Sequence, residues 1–231
     1  MWNDVTSLRK FYQTNLGKVA RRIICQHLRD SWKNTSGQRI LGLGYATPYL
    51  SHFEDEAEQV LAAMPAHQGV LHWPKSGGGK VILCGEGQIP LPDVSIDFVL
   101  LVHALECSVQ HHRMLREVWR ILIDGGQLLT IVPNQRGIWA RMDCTPFGQG
   151  HPYSSGKLNY LLDDTLFTPV KTQNALFVPP SQSDVVIASA PAWEKLGQHI
   201  FPKFSGVLIS ESRKQMYAAC LLYTSQSPRD Q

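Results

Sequence analysis

Apolar side chains recur at intervals of three and four along the first thirty residues, the pattern of an amphipathic helix. The stripe consists of Leu8, Phe11, Tyr12, Leu16, Val19, Ala20, Ile23, Ile24 and Leu28. Asn15 and Gly17 interrupt it with residues that weaken a helix. The pattern therefore predicts two helices with a hinge near these two positions.

Beyond this segment, short apolar runs alternate with helical patterns. We predict strands over 40–44, 59–63, 80–84, 96–102 and 128–132. One helix is expected to begin at Thr47, as its N-cap, with Pro48 in the first turn. Another is expected over 108–122, closed by a turn at 124–126. The nearly unbroken apolar run 96–102 is typical of a parallel strand buried on both faces, so the alternation indicates an α/β fold.

The last third of the chain is less regular. Residues 134–157 are rich in Gly, Pro, Arg and aromatic side chains and predict a long loop over one end of the sheet, a type of segment that commonly carries function. A helix over 157–164 and a helix around 193–199 are expected, with strands near 170–178 and 206–217 forming an antiparallel edge. Residues 220–231 break with this pattern, and we interpret them as a non-native tail.

Composition narrows the class of protein. The chain has 231 residues, 43% of them apolar, which excludes general disorder. Five cysteines without a CxxC pair favour a reducing cytoplasm over a disulfide framework or a zinc knuckle. No apolar run approaches the roughly 18 residues of a membrane span, and we see no signal peptide. A cytoplasmic location is therefore expected.

Charge is distributed unevenly. The first 33 residues hold seven Lys or Arg against two Asp, whereas the rest of the chain is slightly acidic. Such a segment could contact RNA phosphates or anionic lipid. The simpler interpretation is that these side chains only solvate the outer face of a helix.

Open parallel sheets bind ligands beyond the carboxyl ends of their strands. Gly42 and Gly44 end the first predicted strand, allow a tight turn, and precede a helix N-terminus with free N–H donors. Thr47 stands where a GxGxxG dinucleotide fingerprint needs its third glycine. A nucleotide-dependent oxidoreductase is therefore the less favoured interpretation.

Three motifs in order give residues 39–134 a resemblance to class I S-adenosylmethionine-dependent methyltransferases, specifically those of the methyltransferase type 11 group. The segments are ILGLGYA at 40–46, GE at 85–86 followed by LPD at 91–93 and SID at 95–97, and LREVWRIL at 115–122 before the glycines 125–126. They resemble that family's glycine-rich motif, its acid–LP–FD stretch, and its LxExxRvLkPGG helix and turn.

The resemblance implies a Rossmann-like methyltransferase sheet, mostly parallel with an antiparallel edge, with the N-terminal helices packed on it. It divides the chain into a helical segment at 1–33 and a Rossmann-like domain at 37–219, in which 134–157 is a loop or lid. It implies S-adenosylmethionine as cofactor and methyl transfer to an acceptor, which we expect to be a small molecule. The expected cofactor-binding residues are Gly42, Gly44, Tyr45, Glu86, Gly87 and His103. Glu86 matches the family's adenine-reading carboxylate.

Methyl transfer from a sulfonium requires donor and acceptor to be held in line and water to be excluded. A base is needed for some acceptors. His103, at the end of the strongest strand with Glu106 close behind, is the candidate base, although it could equally be a hydrogen-bonded core residue. His151 and Tyr153 are expected to line the acceptor pocket and complete the predicted catalytic set. Trp139 and Phe147 are expected mainly to pack the loop. We predict no metal site, because the pair at 111–112 lacks further ligands at metal spacing.

Departures from the family pattern support an alternative. The family usually has an acid where Gly42 stands and another at the end of the second strand, where residues 62–64 are Ala, Ala and Met. A non-catalytic relative that kept the fold and binds a partner through its surface is therefore the second hypothesis. The fourth predicted strand is not followed by the [DN]PP[YF] motif of DNA amino-methyltransferases, which favours a different acceptor.

Overall fold

The computed structural model describes residues 2–74 and 76–215, so the predicted non-native tail at 220–231 lies outside the described residues. The helices are α1 (Val5–Gln13), α2 (Asn15–Ser31), α3 (Thr47–Leu50), α4 (His111–Ile121), α5 (Ser155–Asp164), α6 (Asp184–Ala188) and α7 (Ala190–Ile200). The strands are β1 (Arg39–Gly44), β2 (Gln59–Pro65), β3 (Val81–Cys84), β4 (Ile96–Val102), β5 (Leu122–Pro133), β6 (Phe167–Ala175) and β7 (Val207–Lys214).

The two N-terminal helices form as the pattern predicts, and the break between them falls at Thr14. Asp4 caps α1 by accepting a hydrogen bond from the Thr6 backbone N–H at 3.0 Å. Thr14 adopts extended backbone, and its hydroxyl oxygen accepts from the Gly17 N–H at 3.0 Å, which caps α2. The apolar faces of both helices are buried in the main core.

The seven strands form one sheet in the order β3-β2-β1-β4-β5-β7-β6. The pairs β1–β2, β1–β4, β2–β3 and β4–β5 are parallel, and β7 pairs antiparallel with both β5 and β6. The predicted parallel sheet with an antiparallel edge is confirmed. Strand order reverses between β1 and β4, so the crevice that such sheets offer to ligands lies where these two strands end.

Apolar side chains cover both faces of the sheet. On one face α1, α2 and the buried rings of Trp32, Trp139 and Phe147 form the larger cluster. On the other face α4 and α5 pack over β4 and β5. The strand β4 contributes to both clusters, as its unbroken apolar run predicts. The carboxyl ends of β1 and β4 are thus held between two rigid layers.

Three local predictions were wrong. The N-cap of α3 is Ala46, and Thr47 is the first helical residue of a single turn. No turn separates α4 from β5, because Leu122 caps the helix and already pairs with Ile96, while Lys214 Nζ donates to the Leu122 carbonyl at 2.7 Å. The strand β6 ends at Ala175 because the next three backbone N–H groups donate to Glu194.

Across residues 2–74 and 76–215, no helix combines the length and the apolar character that a bilayer crossing requires.

Candidate functional site

The turn after β1 is built on a glycine. Gly44 has a φ of +85°, and a Cβ there would lie 2.3 Å from the Val102 carbonyl oxygen of β4. Any other residue would therefore push the two central strands apart. Gly42 also leaves no space for a side chain, because a Cβ there would lie 2.6 Å from the Ala46 Cβ and 2.7 Å from Leu50. The acid that the family usually has at this position does not fit against α3.

Glu86 lies in the loop after β3, and its carboxylate already accepts hydrogen bonds from two side chains of the protein. Its Oε1 accepts from the Trp2 indole Nε1 at 2.6 Å, and its Oε2 accepts from the Ser108 hydroxyl at 2.7 Å. Burial opposes ionisation, but these hydrogen bonds and one from the Gln110 N–H hold the pKa of Glu86 below its ordinary value. The carboxylate is therefore charged at neutral pH and accepts aromatic N–H donors.

Gly87 follows at the edge of a groove of about 240 Å³, which His67, Gln110 and Arg113 also line. A Cβ at Gly87 would lie 2.5 Å from the Arg113 side chain. This glycine lets the loop lie against the Arg113 side chain of α4 beside the groove.

His103 occupies the end of β4, fully buried, with a left-handed φ of +51° that is costly for a residue other than glycine. Its Nε2 lies 2.8 Å from the Tyr12 hydroxyl, which lies 2.8 Å from the Tyr49 hydroxyl. Burial raises the pKa of Tyr12 and of Tyr49 well above the ordinary value, so both phenols keep their protons. The ring also lies 4.7 Å, between centroids, from Phe147.

Several buried polar atoms around His103 have no hydrogen-bond partner. His103 Nδ1 lies 3.4 Å from Glu106 Oε1, close enough for an ion pair with a protonated imidazole but not aligned as a hydrogen bond. Both Glu106 carboxylate oxygens lack a hydrogen bond. Gln68 Nε2 donates to the His103 carbonyl at 2.9 Å, whereas its buried Oε1 lacks a partner. Each unpartnered group costs about 1–3 kcal/mol, which makes the cluster a candidate ligand site.

The N-terminal segment lies across this cluster. The Val5 N–H donates to the Gln68 carbonyl at 2.9 Å, and Leu8 is fully buried. The Tyr12 ring lies 5.7 Å from that of Tyr45, which is itself buried directly after the Gly44 turn. Burial raises the pKa of Tyr45. Helix α1 therefore fills the space over the carboxyl ends of β1, β2 and β4.

The loop at 134–157 packs mainly through its aromatic residues. Trp139 and Phe147 are almost completely buried, and the Trp139 indole donates to the Val178 carbonyl at 2.8 Å. His151 has an exposed side chain, and its N–H donates to the Glu106 carbonyl at 2.7 Å. Tyr153 is half-buried, and burial, with the Glu106 carboxylate nearby, raises its pKa to about 12.

The structure thus brings His103, Glu106 and the backbone of His151 together, with Tyr153 within electrostatic range. Of the predicted cofactor residues, Tyr45 contacts Tyr12 of α1 and Glu86 contacts Trp2. Gly44 lies against the end of β4, and Gly42 lies against Ala46 and Leu50. Roles for these residues stay predictions. Within the described ranges no three His, Cys, Asp or Glu side chains lie close enough to hold a metal ion.

Sequence reasoning missed the residues that cover the site. Trp2 precedes α1, Tyr12 lies on α1 and Tyr49 lies on α3, and all three reach the site from segments distant in sequence, so no local motif marks them. Gln68 could have been found, because it is a polar residue three positions beyond β2.

Comparison with known proteins identifies a domain within the chain. Residues 41–130 match a family model described as a methyltransferase domain. The matched region runs from β1 into β5 and includes the Gly44 turn, Glu86 and His103. A search of curated proteins found no match to the sequence.

Solved structures resemble the whole fold at low identity. A Thermotoga maritima SAM-dependent methyltransferase, described as a possible histamine N-methyltransferase, is 16% identical over 91% of this chain and 96% of its own, with a TM-score of 0.63. An S-adenosylmethionine-dependent methyltransferase from Mesorhizobium loti is 17% identical over 82% and 96%, with a TM-score of 0.58. Burkholderia thailandensis 1,6-didemethyltoxoflavin-N1-methyltransferase, bound to 1,6-didemethyltoxoflavin and S-adenosylhomocysteine, is 15% identical over 83% and 76%, with a TM-score of 0.54.

The sheet order, with its reversal beside the glycine turn, is the Rossmann-like fold of the S-adenosylmethionine-dependent methyltransferases named above. Residues 41–130 form a methyltransferase domain. The cofactor of such domains is S-adenosylmethionine.

Proposed function

We propose that the protein transfers a methyl group from S-adenosylmethionine to a small-molecule acceptor bound at the carboxyl ends of β1, β2 and β4. The observation that carries this proposal is the cluster of unpartnered buried polar atoms on Gln68, His103 and Glu106. A buried carboxylate without hydrogen bonds is rare in a folded protein unless a ligand or a proton occupies it.

The residues present fit the cofactor. Glu86 already accepts an N–H from the edge of an aromatic ring, which is the chemistry that the adenine amine offers. Gln68 Oε1 is a free acceptor for a ribose hydroxyl three residues beyond β2, a strand that has Ala62, Ala63 and Met64 near its end, in the region where the family usually has an acid. Gly44, Tyr45 and Gly87 provide backbone that a ligand can approach. When bound, S-adenosylmethionine supplies an electrophilic methyl group carried by a sulfonium.

His103 is the proposed base. Its Nε2 holds the Tyr12 hydroxyl at 2.8 Å, so the same atom can take a proton from an acceptor hydroxyl or amine that replaces Tyr12. Glu106 lies at the other ring nitrogen and would stabilise the imidazolium that results. The buried Phe147 ring excludes water from one face of the imidazole.

His151 and Tyr153 are proposed to line the acceptor entrance. His151 is exposed beside Glu106, and the Tyr153 hydroxyl stays protonated because its pKa is raised to about 12. A protonated phenol and an imidazole can both donate hydrogen bonds to a polar acceptor. These two side chains would set which small molecule enters.

Helix α1 must move before the cofactor or the acceptor can bind. Trp2 already bonds to Glu86, which would contact the cofactor, and Tyr12 already bonds to His103, which would contact the acceptor. The segment is joined to α2 only through the extended backbone of Thr14, and its tip is fixed by Trp2 on Glu86. We infer that α1 is a lid, closed in this structure, that withdraws about Thr14 and exposes Glu86 and His103.

The same closure favours the second candidate, a non-catalytic methyltransferase-fold protein whose lid never opens. Leu8 and Tyr12 are buried like permanent core residues, and Gly42 leaves no room for the usual acid. The two candidates differ in whether the site takes the cofactor at all.

Titration calorimetry separates these candidates. Purified protein is titrated with S-adenosylmethionine, S-adenosylhomocysteine and NADH, and the Trp2→Ala variant is titrated in parallel. Binding of both sulfur ligands, but not NADH, supports methyl transfer. No heat up to millimolar concentration in either protein overturns the proposal in favour of the non-catalytic candidate. Binding of NADH alone would indicate a nucleotide-dependent oxidoreductase.

A further inference from the structure

The exposed face of helix α2 is basic. Lys18, Arg21 and Arg22 are all exposed, and Lys18 lies three and four positions before the two arginines, so the three side chains share one face of the helix. Like charges at these spacings destabilise a helix. The fold therefore gains nothing from the arrangement, and a ligand is a better reason for it. We call these three residues the α2 basic face.

The cations of the α2 basic face are not neutralised by the protein. Within the described residues, none of the three takes part in an ion pair. Arg29, two turns beyond Arg22 on the same side of α2, behaves differently, because its guanidinium donates to both carboxylate oxygens of Glu56 at 2.8 and 2.9 Å. Arg29 thus joins α2 to the segment after α3, whereas the α2 basic face keeps its donors free.

A groove runs along each side of the α2 basic face. One groove, of about 620 Å³, separates α2 from α6 and α7, and the exposed Lys195 lines its far wall. The other, of about 550 Å³, lies between α2 and His52, which follows α3. Lys18 and Arg22 line both grooves. The α2 basic face is therefore a ridge between two grooves and presents cations to each of them.

The acidic groups that line the two grooves, Glu194 and Asp30, do not cancel this charge. The Glu194 carboxyl accepts three backbone N–H hydrogen bonds, and burial raises its pKa. Asp30 lies in the last turn of α2, more than three turns from Lys18. His52 adds no charge at neutral pH, because burial and the nearby Arg21 lower its pKa. Both grooves therefore carry an excess of positive charge.

We propose that the α2 basic face binds the sugar–phosphate backbone of a nucleic acid, with the strand lying in the grooves beside α2. Free lysine and arginine donors are the groups that bind phosphate oxygens. Among the described residues, neither groove is lined by Phe, Tyr or Trp, so bases are not stacked and binding does not depend on base sequence. Neither groove includes a residue of the candidate methyl-transfer site, and the inference does not rest on the proposed function.

An anionic bilayer fits this surface less well. Interfacial binding requires apolar side chains that enter the boundary between headgroups and acyl chains. All residues of α2 are described, and none of its large apolar side chains is exposed. A flat surface would also touch only the ridge, whereas a strand that enters the larger groove reaches Lys195 as well as Arg22.

Fluorescence anisotropy of labelled oligouridine tests the proposal with the full chain. The logarithm of the affinity should fall against the logarithm of the salt concentration with a slope of about −2 to −3, as expected for three or four phosphate contacts. Arg21→Glu/Arg22→Glu should bind about tenfold more weakly and reduce the slope by about one for each side chain. The control Arg116→Glu/Lys157→Glu reverses two exposed charges on α4 and α5, across the sheet, and should bind like the original protein.

Two further variants separate charge from shape. Arg21→Lys/Arg22→Lys keeps both charges and should bind within about threefold of the original, whereas Lys195→Glu should lose about threefold if the strand enters the larger groove. Labelled oligothymidine should bind like oligouridine, because the phosphates are the same. Circular dichroism checks that each variant is folded.

The proposal makes several outcomes decisive against it. It is overturned by an absence of oligonucleotide binding up to about 100 μM, by affinity that does not depend on salt, or by equal losses in the two charge-reversal variants. Binding to phosphatidylglycerol vesicles, without binding to either oligonucleotide, would overturn it in favour of an anionic bilayer.

Discussion

The indole N–H of Trp2 donates a hydrogen bond of 2.6 Å to Oε1 of Glu86, the carboxylate predicted to accept the adenine amine. Both donors are N–H groups at the edge of a flat heteroaromatic system. The start of the chain thus satisfies the cofactor-reading residue with a side chain of similar chemistry. Closure of α1 and binding of cofactor therefore compete for one acceptor, and the competition can be measured.

Removing the Trp2 indole N–H should raise the affinity of the protein for the cofactor. Trp2→Phe keeps an aromatic ring but cannot donate to Glu86, so we expect affinity for S-adenosylhomocysteine to rise about 3- to 10-fold, the effect of one hydrogen bond to a charged group in a half-exposed position. Titration calorimetry measures the change. Trp73→Phe, another half-buried tryptophan packed on the core, is the matched control and should bind like the original protein. Equal affinity in Trp2→Phe and the original would contradict the competition.

Removing the Glu86 carboxylate should lower the affinity for S-adenosylhomocysteine. Glu86→Ala removes the acceptor for the adenine amine, and we expect S-adenosylhomocysteine to bind about tenfold more weakly. Glu86→Gln keeps one acceptor oxygen and should lose less. The exposed Glu58→Gln is a control for charge alone. If Glu86→Ala binds as tightly as the original, Glu86 does not lie in the cofactor site.

Gln68 offers a test of the ribose subsite. Its Oε1 is buried and lacks a hydrogen bond, and Gln68→Ala removes the acceptor proposed for a ribose hydroxyl. We expect about a tenfold loss of S-adenosylhomocysteine affinity and a much smaller loss for adenine, which lacks the ribose. The exposed Gln198→Ala, on α7, should leave both affinities unchanged. Equal losses for the two ligands would indicate a general disturbance of β2 instead.

Periodicity was sufficient to predict the sheet because the signals are local. Each strand of the parallel part is a short apolar run, and Ile96–Val102 is observed with the bounds that the sequence predicts. The pattern also predicts two N-terminal helices with a hinge near Asn15 and Gly17, one to three residues from the observed break at Thr14. Hydrophobic pattern and capping chemistry act over a few residues, so they can be interpreted without the fold.

The closure of the site could not be predicted in this way. It depends on contacts between α1 and residues far along the chain, such as Tyr12 with Tyr49, 37 positions away, and Tyr12 with His103, 91 positions away. The end of β6 was mispredicted for the same reason, since Glu194 on α7 captures the N–H groups that would otherwise continue the strand. Tertiary contacts of single polar side chains decide such features, and they leave no periodic signal.

Asp97 should prove structural and not part of the cofactor site. Its Oδ2 accepts from the Arg39 backbone N–H at 2.8 Å and from Arg39 Nε at 3.0 Å, which joins the starts of β1 and β4 at the edge opposite the crevice. Asp97→Ala should lower the free energy of unfolding by about 1–3 kcal/mol, measured by urea denaturation. Affinity for S-adenosylhomocysteine should not change at a temperature where the variant is folded. A selective loss of affinity would place Asp97 in the site after all.

Glu194 should make stability depend on pH. Burial raises the pKa of this carboxyl above its ordinary value, although hydrogen bonds from Phe177, Val178 and Leu176 oppose the shift. A raised pKa in the folded state means that the folded protein holds the proton more tightly than the unfolded chain does. The stabilisation from the protonated carboxyl is therefore complete below about pH 4.5 and declines as the pH rises through the folded-state pKa.

Urea denaturation between about pH 4 and pH 7 tests this assignment. Glu194→Gln cannot titrate but keeps an acceptor oxygen. As the pH rises, the free energy of unfolding of the original protein should therefore fall relative to that of Glu194→Gln. Glu194→Ala leaves backbone N–H groups of residues 176–178 without an acceptor and should be about 1–3 kcal/mol less stable than Glu194→Gln at every pH. A difference between the original protein and Glu194→Gln that does not vary with pH would show that Glu194 does not titrate in this range, and the stability curve would then have to be assigned to other groups.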